Sequence, residues 1–196
     1  MFLVVINGSP AEERNVASLL KVVQKEAESL GAKTEMIQAH QVVSRQEQPF
    51  CRACANPCPG SCYRGTELEE AYRKMEQADA IVLGSPVYFG TVSAQLKAFW
   101  DKTRKLRTEK KLVNKVGAAV SSGAARFGGQ ETTLRALHDM MMVQGMTVVA
   151  DGHVDSDAGH HGACAQQPAG EDEFAQKRAR ILARRIVETA PNKITF

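Results

Sequence analysis

A chain of 196 residues fits one α/β domain carrying an insertion and leaves little room for a second domain of ordinary size. Its apolar share of 43% and charged share of 24% are those of a soluble globular protein, which excludes a low-complexity or fibrous chain. The net charge of +3 is small and its lysines and arginines are scattered, so composition argues against nucleic acid as a partner.

Phe2 to Ile6 is a continuous apolar run followed at once by Asn7-Gly8-Ser9-Pro10, the pattern of a buried parallel strand ending in a loop. It has no basic lead-in and is far short of the ~20 apolar residues of a membrane span, so neither a membrane nor a secretory leader is expected, and the location expected is cytoplasmic. From Asn15 the period becomes helical, with Val16, Leu19, Leu20, Val23, Ala27 and Leu30 on one face and Gly31 as the stop. Lys33 to Gln38 reads as a second strand. Residues 46–65 are irregular, with three prolines and four cysteines, after which Thr66 and Glu69 form a capping box for a helix through Met75.

Ala80 to Gly84 is the third strand and also runs into a Ser-Pro loop; a helix over 93–104 follows. Val116 to Ser121 makes a fourth strand ending in a glycine-rich loop, then a helix over 130–144 and a fifth strand over 146–150. A polar loop leads to the last helix, over 171–189. Its Lys177-Arg178-Ala179-Arg180 and Arg184-Arg185 read as a solvated helix face. Alternating strands and helices predict a five-stranded parallel sheet, helices on both faces, in the flavodoxin-like order 2-1-3-4-5. One domain is expected over residues 1–196, with the cysteine-rich segment as an insertion at about 46–65. In this order ligands bind beside strands one and three, where the Gly-, Ser- and Pro-rich loops fall.

Neither a G-x-G-x-x-G fingerprint nor a Walker A loop is present. Ser9, Pro10 and Asn15 instead lie at a helix start, where free N–H groups and the helix dipole suit a mononucleotide phosphate. Ser85-Pro86-Val87-Tyr88-Phe89-Gly90 offers aromatic rings and a close-approach glycine to a flat ring system. The loop from Ser121 through Gly123, Arg126 and Gly128 to Gly129 would close the site.

These motifs, with Gln95-Leu96-Lys97, Asp101, Gly128-Gly129-Gln130-Glu131 and Gly145-Met146, resemble the NADPH-dependent FMN reductase superfamily, and within it the iron–sulfur flavoproteins. The resemblance covers residues 1–150. It implies FMN with its phosphate at Ser9 and Asn15, its ring at Pro86 to Gly90, and Gly123 to Gly129 on the far side of the flavin. Where the family's phosphate loop usually carries Arg, Ser and Thr, this chain has Ala11, Arg14 and Val16, which leaves Arg14 as the candidate source of positive charge. The resemblance also implies a homodimer or homotetramer in which one subunit's cluster approaches another's flavin.

Cys51, Cys54, Cys58 and Cys62 are spaced C-x2-C-x3-C-x3-C. In a reducing compartment such thiols indicate metal, cluster or redox chemistry before disulfides. Structural zinc sites usually separate two Cys pairs by a longer spacer, whereas one compact loop is closer to iron–sulfur spacing. The iron–sulfur flavoproteins carry a compact motif at this position, usually C-x2-C-x2-C with a longer last gap. A [4Fe–4S] cluster is expected, with zinc or metal-free thiols as alternatives. Cys164 reads as a small, partly buried residue, and His138 as helix packing. His160 and His161 fall in a glycine-rich loop; in related quinone reductases an aromatic residue near the flavin stands where His161 stands, although a plain solvent loop accounts for the pattern too.

The expected function is an electron-transfer oxidoreductase passing electrons between FMN and the cluster, with NAD(P)H, ferredoxin or quinone as redox partner. A cluster-free NAD(P)H-dependent FMN or quinone reductase and a non-enzymatic zinc module are the alternatives. No acid–base triad is expected.

Overall fold

The computed structural model describes residues 1–190; the last six residues of the expected 1–196 domain lie outside the described residues. The order of elements is β1 (Phe2–Asn7), α1 (Asn15–Ser29), β2 (Lys33–Gln38), α2 (Ala39–Ser44), α3 (Glu67–Gln77), β3 (Ala80–Pro86), α4 (Ala94–Asp101), α5 (Arg104–Thr108), β4 (Val116–Gly123), α6 (Gln130–Met142), β5 (Thr147–Val148), β6 (Ala163–Gln166) and α7 (Glu173–Thr189). A single turn of 3-10 helix, Ser61–Tyr63, precedes α3.

All strands pair in parallel, in the order β2-β1-β3-β4-β5. Period-2 alternation divides β1 between two cores. Leu3 and Val5 pack with α1 and α7 residues such as Leu20, Val23 and Leu182, while Val4 and Ile6 pack with Leu68, Met75, Phe99 and Leu137 on the opposite face. β3 and β4 are buried along their whole length, as continuous apolar runs covered by helices on both sides must be, and β2 forms the partly exposed edge with Lys33 and Glu35.

The fifth strand departs from the sequence reading, because it is split. β5 pairs with Val116 and Gly117 for two residues, the chain then leaves the sheet, and β6 returns to pair with Val120 to Gly123. The excursion over 149–162 is closed from beneath by Arg178, only 3% exposed, whose guanidinium donates to the Asp151 carboxylate and carbonyl and to both carboxylate oxygens of Asp157. Arg178 is therefore an internal anchor, unlike the solvated face the sequence suggested. The capping box is also shifted. Thr66 Oγ1 accepts from Leu68 N, but Glu69 accepts from Gly65 N, one residue earlier than expected.

Two glycines are fixed by close approach at the carboxyl ends of the strands. A Cβ on Gly8 would lie 2.7 Å from the Gly84 carbonyl oxygen and from Leu96 Cβ, and one on Gly123 would lie 2.9 Å from the Gln130 amide.

Candidate functional site

Three loops meet at the carboxyl edge of the sheet. The β1 loop is braced from within, since Ser9 N donates to Asn7 Oδ1 and Ala11 N to Ser9 Oγ, both at 3.0 Å. Asn15 Oδ1 accepts from Ala169 N at 2.9 Å and so ties the segment after β6 to the start of α1. Arg14 is the exposed residue before α1, with no ion-pair partner among the described residues. The N–H groups of Asn15, Val16 and Ala17 have no acceptor among the described residues, leaving a first turn with positive dipole and unused donors.

The β3 loop is a tight turn. Tyr88 and Thr91 exchange backbone hydrogen bonds, while Phe89 (φ 50°) and Gly90 (φ 80°) occupy left-handed conformations. Glycine adopts this conformation freely; for a phenylalanine it costs roughly 1–2 kcal/mol. The strained Phe89 ring is fully exposed and Tyr88 is partly so. An aromatic residue held outward at such cost is characteristic of a ligand clamp.

The β4 loop is locked to β3 and α6. Val87 N donates to Ser122 O at 2.9 Å, and Thr132 Oγ1 donates to Gly90 O at 2.9 Å. Buried Gln130 holds the loop from inside: its Oε1 accepts from Gly128 N at 2.9 Å and its Nε2 donates to Ala125 O at 2.6 Å, with Ala165 O at 3.4 Å. Gln130 falls within the Gly128-Gly129-Gln130-Glu131 motif, which by itself assigns it no role. The signal available was a polar residue one position past the Gly128-Gly129 pair, at a helix start. Phe127 is almost fully exposed, and a cleft of about 820 Å3 opens beside it, lined by Arg126, Phe127, Gln130, Cys164, Gln167 and Phe174 among others.

Apart from Asn15, the first residue of α1, the expected flavin residues fall into three groups. Ser9, Pro10, Arg14, Pro86, Val87, Tyr88, Phe89, Gly90, Gly123, Arg126 and Gly128 belong to the three loops or their strand ends. Ser85 and Ser121 lie beneath them with hydroxyls used inside the protein: Ser85 Oγ accepts from Ser93 N, and Ser121 Oγ donates to Gln130 O and lies 3.5 Å from Cys164 Sγ. Among the described residues, the hydroxyl of the neighbouring Ser122, buried near the end of β4, has no hydrogen-bond partner. His161 stands apart. It lies two residues before β6, level with the middle of β4, and its ring is 6.4 Å from that of His138. Burial, reinforced by His161, lowers the His138 pKa.

Unused first-turn donors, an orphaned buried hydroxyl and outward aromatic rings around one edge fit a bound FMN.

The four clustered cysteines are free thiols, Cys54 and Cys62 exposed and Cys51 and Cys58 half-buried. Their loop is pinned at Gly60, where the backbone is left-handed and a Cβ would meet Lys105 Cδ at 2.6 Å and the Tyr63 hydroxyl at 2.8 Å. Tyr63 stacks edge-on against Tyr72, and Tyr72 against Phe99. Burial, then the negative charge available at Cys58 and Cys62, raises the Tyr63 hydroxyl. Tyr72 is raised by burial and, among other causes, by Cys62 and Cys51. The four sulfurs are not drawn to a common point; among the described residues no three Cys, His, Asp or Glu are grouped closely enough to hold a metal ion. The donor set, four thiols in one short loop, nonetheless fits a thiolate-ligated cluster, and the buried Lys102 reaches one of them, its Nζ 3.9 Å from Cys62 Sγ. Cys164 sits elsewhere, half-buried behind the β4 loop, and burial pushes its thiol up to about 11.

The strand order and the helices on both faces define a flavodoxin-like α/β fold. Among solved structures, a WrbA-like flavodoxin of Agrobacterium tumefaciens superposes with a TM-score of 0.68 at 23% identity, over 96% of each chain. In sequence, residues 1–161 match the NADPH-dependent FMN reductase family. The chain is 38% identical to an iron–sulfur flavoprotein of Methanocaldococcus jannaschii over 96% of both chains. It is 34% identical to one of Methanosarcina thermophila, over 93% of this chain and 92% of the relative. The chain belongs to the NADPH-dependent FMN reductase family, on its iron–sulfur flavoprotein branch, and is an FMN-dependent oxidoreductase. No helix among the described residues is long and apolar enough to cross a membrane.

Proposed function

We propose that this protein passes electrons between FMN at the three-loop edge and a [4Fe–4S] cluster ligated by Cys51, Cys54, Cys58 and Cys62. The observation that carries the reading is four unpaired thiols in one short loop over a buried lysine, in a chain of the flavoprotein family. Iron–sulfur ligation by four thiolates is the chemistry this donor set suits, and the printed name of the relatives supports it.

FMN supplies two-electron exchange and the cluster one-electron exchange, so the pair would convert one into the other. The chain's own residues bind and orient. Ser9 and the first-turn N–H groups of α1 would receive the phosphate, with Arg14 supplying charge. Asn15 would act indirectly, by fixing the segment around Ala169 against that turn. Pro86 to Gly90 would support the ring, and Gly123 to Gly128 would cover it, held by Gln130. The cleft beside Arg126 and Phe127 gives an NAD(P)H, quinone or ferredoxin-type partner access to the β4 loop. The assembly we propose is a homodimer or homotetramer, and the location cytoplasmic.

A second reading, a cluster-free NAD(P)H-dependent FMN or quinone reductase, is favoured by the separation of the four sulfurs. Anaerobic reconstitution followed by iron, sulfide, zinc and FMN analysis separates the two. The relay predicts iron and sulfide bound with FMN, broad absorbance beneath the flavin bands, and loss of the iron alone in Cys54→Ala. FMN without iron would establish the reductase, and stoichiometric zinc without FMN would establish the zinc module.

A further inference from the structure

Two cations are buried among the described residues, and they are treated differently. Arg178 is matched by the carboxylates of Asp151 and Asp157. Lys102, 2% exposed, forms no ion pair among the described residues. The end of α4 does not account for it. The Phe99 carbonyl accepts from the Tyr72 hydroxyl at 2.6 Å and the Trp100 carbonyl from the Thr103 hydroxyl at 2.7 Å, while the neighbouring Asp101 is engaged by Lys97. The acceptor Lys102 Nζ does reach is Cys62 Sγ, at 3.9 Å. A neutral thiol is a weak acceptor and offsets little of the cost of removing an ammonium from water. Two further basic residues underlie the same loop: Arg104 donates to Ala55 O at 3.5 Å, and Lys105 packs under Gly60.

This pattern is that of a cation awaiting an anion at the cysteine loop. We propose that Lys102 is a positioning residue for the cluster, its ammonium donating to Cys62 Sγ and raising the reduction potential; the inference rests on the cluster reading above. Four thiolates make the cluster negative overall. Reduction adds one electron and one negative charge without forming or breaking a bond, the electron leaving reduced FMN, so a fixed buried cation favours the reduced side. Exposed Lys or Arg residues would be screened by water; Lys102 is not.

The test is the midpoint potential of the reconstituted holoprotein, from a dye-mediated titration read by EPR. Lys102→Met should shift the reduction equilibrium at least tenfold toward the oxidised cluster, 59 mV for one electron. Lys102→Gln, which keeps a donor and loses the charge, should move the same way, and Lys102→Arg should restore the wild-type value. Should the methionine variant fail to take up iron, the glutamine variant carries the measurement. Assembly in the arginine variant but in neither neutral one would also support the charge requirement. An unmoved potential in either neutral variant with an intact cluster overturns the proposal. A wild-type protein that takes up neither iron nor sulfide overturns the cluster reading itself, and this inference with it, and is told apart by the absence of any cluster signal.

Discussion

Replacing Gln130 tests whether the β4 loop is prearranged for the flavin. Gln130 makes three hydrogen bonds from a buried position, to Gly128 N, Ala125 O and Ala165 O, the last the longest at 3.4 Å. At about 1 kcal/mol each, less the recovery of hydration by Gly128 N once the loop opens, Gln130→Met should cost about 2 kcal/mol of stability. Methionine roughly preserves the volume, so this cost reports hydrogen bonds and not a cavity. If flavin binding must then reorder residues 124–129, the same 2 kcal/mol appears in affinity, about 30-fold in Kd. Denaturant unfolding of the FMN-free protein gives the first quantity, and quenching of FMN fluorescence on titration gives the second. Lost stability with an FMN Kd changed less than twofold would mean that the loop is structural and not part of the flavin site.

Three further outcomes follow from individual residues. Phe89→Gly relieves a left-handed phenylalanine and should stabilise the FMN-free protein by about 1 kcal/mol while weakening FMN binding, measured by thermal unfolding and titration. Cys164, with its thiol pushed up to about 11, should be about one-thousandth thiolate at pH 8; intact-mass analysis after alkylation of cluster-free protein should find it modified far more slowly than exposed Cys54. Hydrogen bonding to the Arg178 guanidinium holds the Asp157 carboxyl below its usual 3.8. Its stabilising contribution is full above that usual value and is lost as pH falls through the lower folded value, so Asp157→Asn should flatten the acid limb of a Tm-against-pH curve. The effect is small because Asp157 is exposed, and an unchanged acid limb would count against the pairing.

Continuous apolar runs made β1, β3 and β4 plain in the sequence, because a strand buried on both faces needs no polar alternation. The division of the fifth strand was hidden. β5 has two residues and β6 reads Ala-Cys-Ala-Gln, with none of the β-branched residues that mark a strand, and their shared edge exists only through pairing with β4. Arg178 and Lys102 were hidden for a related reason. A basic residue in a helical pattern reads as surface unless its partner is known, and Asp151 and Cys62 are distant in sequence. The flavin loops were legible in composition but not in division of labour. The sequence could not distinguish Ser85 and Ser121, committed inside the fold, from Ser122 with its unused hydroxyl. Nor could a local motif reveal that His161 stands level with the middle of β4, beside His138.

In the proposed relay, electrons entering at FMN reach a cluster in the cysteine loop. Rapid freeze-quench EPR of the reconstituted protein, mixed anaerobically with NADH, NADPH or reduced ferredoxin, follows both centres at once. At least one donor should bleach the flavin and a reduced-cluster signal should then appear, with Cys54→Ala retaining flavin bleaching under NADH or NADPH but losing the signal. Flavin that bleaches and is reoxidised by quinone while no iron–sulfur signal ever develops would contradict the relay.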